Sequence, residues 1–126
     1  MSPASIGNHA KITARPADRD RVRQFYQNVL GCAITKQSNE ADFFRFGNDF
    51  FVAALYDGRV LPEKEQVKSI WLELRADDPA ALSRKIREFG VIELDTWEKD
   101  RLYFQAPGGQ VFRVVGQHED LSRFES

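Results

Sequence analysis

Apolar and polar residues alternate from His9 to Thr13. Ala10, Ile12 and Ala14 fall on one side and His9, Lys11 and Thr13 on the other, which is the period of a half-buried strand. Pro16 ends this strand, and Asp18 or Asp20 is placed to cap a helix. Val22, Phe25, Tyr26, Val29 and Leu30 then recur at helical spacing, and Gly31 supplies the stop. Three short strands are expected next, at residues 32–36, 42–46 and 50–56. The last two are joined through the turn residues Gly47-Asn48-Asp49.

From residue 57 to 68 the chain is polar, with Gly58 and Pro62, and reads as a linker. The same order then begins again. Residues 69–75 alternate, with Ile70, Leu72 and Leu74 opposed to Ser69, Trp71 and Glu73. Asp78 followed by Pro79 is a helix start; Leu82, Ile86 and Phe89 are its buried stripe, and Gly90 is its stop. Strands are expected at 91–96, 101–105 and 110–115, with a turn at Pro107-Gly108-Gly109. Residues 117–126 form a polar tail in which Leu121 and Phe124 are spaced for a short docking turn. The pattern is strand, helix, three strands, twice. A single ferredoxin-like sandwich is the alternative, but it uses fewer strands after each helix.

Composition narrows the partners. Of 126 residues, 42% are hydrophobic and 29% charged, so a packed core is expected and disorder is not. A net charge of -1 argues against a nucleic-acid partner. The apolar runs fall well short of the roughly 20 residues that span a bilayer, so no membrane partner is expected. The first residues lack the basic-then-apolar order of a secretory signal, and a cytoplasmic location is expected. Cys32 stands alone, so neither an intrachain disulfide nor a multi-cysteine zinc site can form; it reads as a small buried apolar residue. Phe43, Phe44, Phe46, Phe50 and Phe51 exceed what one sheet face needs. One set should face the helix and the other a cleft or a partner.

Three segments together resemble the vicinal oxygen chelate superfamily, which includes glyoxalase I, extradiol dioxygenases, and fosfomycin- and bleomycin-resistance proteins. They are Phe25-Tyr26-Gln27-Asn28-Val29-Leu30-Gly31 at a helix end, Ser69-Ile70-Trp71-Leu72-Glu73-Leu74 with Asp77-Asp78-Pro79, and Pro107-Gly108-Gly109-Gln110-Val111-Phe112-Arg113-Val114. The resemblance covers about residues 8 to 116. It implies an α+β fold: two βαβββ modules forming an open, curved, barrel-like sheet around a cleft, within one domain and usually in a homodimer. Module one would span about 8–57, the linker 58–68 and module two 69–116.

In metal-dependent members of that superfamily, four side chains, His and Glu or Gln, hold a divalent ion that bridges two substrate oxygens. Carried over position by position, His9 matches the first ligand. Ala54, or Ala53 if the register slips by one, takes the second place, Ser69 the third and Arg113 the fourth. Only His9 is a suitable ligand, and a guanidinium sets a fixed positive charge beside any cation. No metal or other cofactor is therefore expected; a divalent metal is the alternative.

Alternation leaves His9, Lys11, Ser69, Trp71, Glu73 and Arg113 on the face where the resemblance puts the cleft, and these are the candidate ligand-binding residues. Charged groups there must pair or await a polar ligand. With Trp71 as a flat apolar surface, they suit a small aromatic or anionic molecule. Glu73 is the one candidate general base. The function expected is metal-free binding of a small molecule, in the manner of the bleomycin-resistance branch. The alternative is a lyase or ring-cleaving dioxygenase with a non-standard metal or acid–base site. A regulatory or interaction subunit is a third reading.

Overall fold

The computed structural model describes residues 3–119, so the expected turn at Leu121 and Phe124 lies outside the described residues. The chain divides into two compact units between Leu61 and Pro62. Each contains a four-stranded sheet with the same topology. The first unit runs β1 (His9–Ala14), α1 (Arg19–Gln24), β2 (Ala33–Gln37), β3 (Ala41–Phe46) and β4 (Phe50–Tyr56), with strand order β1-β4-β3-β2. The second runs a one-turn helix α2 (Glu63–Gln66), β5 (Trp71–Ala76), α3 (Pro79–Phe89), β6 (Ile92–Glu93), β7 (Tyr103–Gln105) and β8 (Val111–Gly116), with order β5-β8-β7-β6. In both, the first strand lies parallel to the last and the other pairings are antiparallel. The helix is the crossover that such a parallel pair requires. The architecture is α+β, two βαβββ units, as expected.

In the first unit the helical stripe closes one face of the sheet. Val22, Phe25, Tyr26 and Val29 are buried there with Ile12, Ala14, Phe44, Val52 and Ala54. Tyr26 stacks on Phe44, their ring centroids 4.7 Å apart. Alternation sorts the phenylalanines as expected. Phe44 is fully buried on this side, whereas the His9 ring stacks on half-buried Phe51 across the opposite face. Three details depart from the sequence reading. Asp18 makes no capping bond because Arg15 takes its carboxylate at 3.0 Å. The helix opens with a 3-10 turn (Pro16–Asp18). It closes as a π-helix (Phe25–Val29), where the Leu30 amide donates to the Phe25 carbonyl and the Cys32 amide to that of Tyr26, with Gly31 at φ 77°. The wider turn keeps both Phe25 and Tyr26 in the core.

The second unit follows its local signals more closely. Asp78 Oδ1 accepts from the Ala81 amide at 3.0 Å, Pro79 opens the helix and Gly90 ends it at φ 92°. Ile86 packs into a core with Leu74, Leu102, Phe104, Phe112 and Val114. The linker contains α2, one turn in which the Glu65 and Gln66 amides donate to the Pro62 carbonyl. The strand expected at 69–75 starts only at Trp71. Ser69 closes the turn after α2, its amide donating to Gln66, and Ile70 is 71% exposed instead of packed. The strand expected at 91–96 shrinks to Ile92–Glu93, because Thr96 Oγ1 accepts from the Glu98 amide and bends the chain away from the ladder. β8 is buried on both faces from Val111 to Val115.

Candidate functional site

The sheet face of the second unit that turns away from α3 carries a polar cluster. It is built by register. Glu73 on β5 pairs with Arg113 on β8, and Arg113 pairs with Tyr103 on β7, so all three side chains share one face. Trp71, two residues before Glu73, joins them. The loop after β6 brings in Glu98 from outside the sheet. Arg113 is the hub. Its Nε and Nη2 donate to Glu73 Oε2 at 3.1 and 2.6 Å. Its Nη1 donates to Glu98 Oε1 at 2.9 Å and to the Tyr103 hydroxyl at 3.2 Å. The Tyr103 hydroxyl donates to Glu98 Oε1 at 2.5 Å. The guanidinium carbon lies 4.6 Å from the Trp71 ring centroid, and Tyr103 meets that ring edge-on at 6.2 Å. Beyond Glu98, Arg101 donates through Nε at 3.0 Å and holds Glu119 as well.

Electrostatics follow from burial and pairing together. Burial pushes the Glu98 carboxyl up, but hydrogen bonds from Tyr103, Arg101 and Arg113 outweigh it and hold Glu98 below the usual carboxylate range. Burial would lower Arg113, and its bonds to Glu73 and Tyr103 outweigh that, so the guanidinium stays charged. Tyr103 is raised, first by burial and then by donating to Glu98. Among the described residues, Glu98 bridges Arg101 and Arg113, Glu73 also binds Arg113, and Glu119 also binds Arg101.

Of the residues singled out from sequence, the structure brings Trp71, Glu73 and Arg113 together. Ser69 is exposed in the turn before β5 and is not part of this face. His9 and Lys11 belong to the first unit, on the exposed face of β1, and His9 Nδ1 lies 2.8 Å from Asn8 Oδ1. Glu98 and Tyr103 were missed. Tyr103 was within reach, because counting outward from the Pro107–Gly109 turn sets it opposite Arg113. Glu98 had no signal, as it sits in a loop and pairs across 15 residues of chain.

The shared topology also tests the superfamily's ligand set. Ala14 pairs with Tyr56 at the end of one parallel ladder and Ala76 with Gly116 at the end of the other. Counting back from these ends makes Trp71 the equivalent of His9, and Arg113 the equivalent of Ala53. Ala54 points the other way, fully buried under the helix. By this count the positions that match the resemblance are His9 and Ala53 in the first unit, the alternative register to Ala54, and Trp71 and Arg113 in the second, with Trp71 in place of Ser69. The first pair offers one donor, and the second an indole and a cation already bound to carboxylates; neither pair fits a divalent metal. Among the described residues no group of three or more His, Cys, Asp or Glu is placed to hold one elsewhere.

No protein-family model matches the sequence, and no curated protein does. Solved structures do match. A possible glyoxalase from Bacillus cereus is 19% identical, with 89% of this chain and 99% of that one covered at a TM-score of 0.67. The fosfomycin resistance protein FosX from Mesorhizobium loti is 14% identical, with both chains fully covered at 0.71. The trypanothione-dependent glyoxalase I of Leishmania major is 16% identical, with 90% and 88% covered at 0.69. At these identities the likeness speaks for the fold, and that fold is the vicinal oxygen chelate fold to which the sequence motifs pointed.

Proposed function

We propose that this protein binds a small molecule with a flat apolar body on a vicinal oxygen chelate scaffold, without a metal, and that it does so as a cytoplasmic homodimer. The observation that carries the reading is Arg113. It stands where the superfamily's closing carboxylate would stand, and its charge is already bound by Glu73 and Glu98. A metal there would face a fixed cation, while its second-unit partner position offers only the indole of Trp71. What the same groups offer a ligand is an aromatic surface, 46% exposed, beside a carboxylate. The sequence-level case for an anionic ligand needed a free Arg113; with the guanidinium committed, the aromatic half of that expectation is the better supported one. Glu73 keeps Oε1 clear of any hydrogen bond from the described residues and is the one candidate acid–base group. Exposed Ile70, Ile92 and Trp97 offer apolar contact for a second copy.

The test is metal analysis of tag-free protein dialysed against nickel, zinc, manganese and iron, together with a thermal-shift screen of small aromatic molecules. The expected result is no stoichiometric ion and a stabilising aromatic compound. One ion per chain, lost on His9→Ala, would overturn the reading in favour of a lyase or dioxygenase. Light scattering tests the dimer.

A further inference from the structure

We infer that the face of the first sheet turned away from α1 binds small aromatic anions, a carboxylate carried on a flat ring. This goes beyond the receptor reading above, which draws on the second unit, by giving the ligand a charge and a place. Register builds the face in two rows. Arg45 pairs with Phe51 and Phe51 with His9; Lys36 pairs with Phe43, Phe43 with Ala53 and Ala53 with Lys11. A bulge between Ile34 and Lys36 is what returns Lys36 to this side. Lys11, Lys36 and Arg45 are exposed, and none makes a hydrogen bond or ion pair among the described residues. None of the residues that the register sets on this face is acidic. Asp42, the acid of β3, points to the helix side, where it is buried with Arg23 and Tyr56. The cations stand among aromatic rings. Lys36 Nζ lies 5.7 Å from the Phe43 ring centroid, and the His9 ring lies 4.8 Å from that of Phe51, nearly parallel at 9°.

Ala53 sets the size of the site. It is half-buried, and its methyl group is far shorter than the side chains around it: Phe43 and Lys11 on the neighbouring strands, Phe51 and Leu55 along its own. Neighbouring strands lie about 4.8 Å away and same-face residues along a strand about 7 Å. A single ring therefore fits over the alanine between the two phenylalanines. A carboxylate on that ring can reach Lys11, one strand from Ala53, or Arg45, on the diagonal at about 7–8 Å. Lys11 also acts through space on Asp57, but that carboxylate is bonded to Arg59 at 3.0 and 3.2 Å. An organic cation would meet three fixed positive charges with no carboxylate on the face to offset them. A metal ion would find no donor on it beyond the His9 imidazole. An inorganic anion would gain the charges and leave the aromatic walls unused, so the aromatic anion is the chemistry that fits both.

The experiment uses the whole chain, isotope-labelled, and three probes: phenylacetate, acetate and benzyltrimethylammonium. Backbone amide shifts in NMR spectra both locate and titrate each probe. Phenylacetate is expected to shift amides of β1, β3 and β4 and to bind at least about tenfold more tightly than either of the others. Its advantage over the cation should shrink as salt is raised. Lys11→Gln combined with Arg45→Gln should bring the two aromatic probes within about twofold of each other, and Ala53→Leu, which fills the hollow, should weaken phenylacetate about tenfold. If phenylacetate binds no better than the cation, or if its shifts fall on β5 to β8, the inference falls and the receptor reading stands. Acetate binding as tightly as phenylacetate, or no shift with any probe, also overturns it. Should Ala53→Leu fail to fold, the salt series on the unaltered protein and the double variant at two exposed positions decide the matter.

Discussion

Glu98→Gln tests the cluster most directly, because it removes one charge and keeps the shape. Glu98 is 6% exposed and accepts from Arg101 at 3.0 Å, Arg113 at 2.9 Å and Tyr103 at 2.5 Å. Removing one partner of a buried ion pair costs about 3–5 kcal/mol. Here Arg113 retains Glu73 and Arg101 retains Glu119, so each guanidinium loses one of two carboxylates. The amide still accepts one bond. The expected loss is then about 2–3 kcal/mol. Urea unfolding followed by tryptophan fluorescence is the assay, since both tryptophans, Trp71 and Trp97, lie in the second unit. At about 2 kcal/mol/M the midpoint should fall by about 1–1.5 M. The pH dependence gives a second reading of the same group. Its folded value is depressed, so its contribution is complete above the ordinary glutamate value of about 4.3 and is lost as pH falls through the lower folded one. The variant should lack this acid-side loss. A midpoint shift below about 0.3 M would refute the view that Glu98 holds the two arginines.

Two further outcomes follow from the first unit. Asp42 is fully buried, accepts two bonds from Arg23 at 2.7 and 3.1 Å and one from the Tyr56 hydroxyl at 2.6 Å; Asp42→Ala should destabilise that unit by about 3 kcal/mol, seen as lost amide-exchange protection in β3 and β4. Cys32 is 4% exposed and burial pushes its thiol up to about 12, so it should resist alkylation at pH 8 in the native protein and react fully in denaturant.

Much of the fold was legible because its signals are local. Asp78-Pro79 and Gly90 bracket α3, and strict alternation set the faces of β1. The linker helix was not legible, since one turn has no periodicity to detect. The start of β5 was misread for a related reason: Ser69 and Ile70 continue the alternation, but the turn from Gln66 has already claimed the Ser69 amide. The site was half legible. Glu73 and Arg113 share a face by simple counting, and their pairing was one of two outcomes the sequence left open. Glu98 decides the electrostatics, yet a loop carboxylate has no period, and only the folded path of residues 94–101 carries it to Arg113.

The positions that the resemblance assigns to metal ligands are filled differently in the two units. In the first they are His9 and Ala53, one donor beside a group that supplies none. In the second they are Trp71 and Arg113, and the second arrangement is self-supporting. A buried guanidinium demands carboxylates, and Glu73 and Glu98 supply them. The same two carboxylates would repel an acidic ligand residue in place of Arg113. The arginine and its partners are therefore consistent only with each other. A metal site carries a charge that can leave with its ion. The Arg113 guanidinium carries a charge that does not leave, because its hydrogen bonds hold it above an already high value.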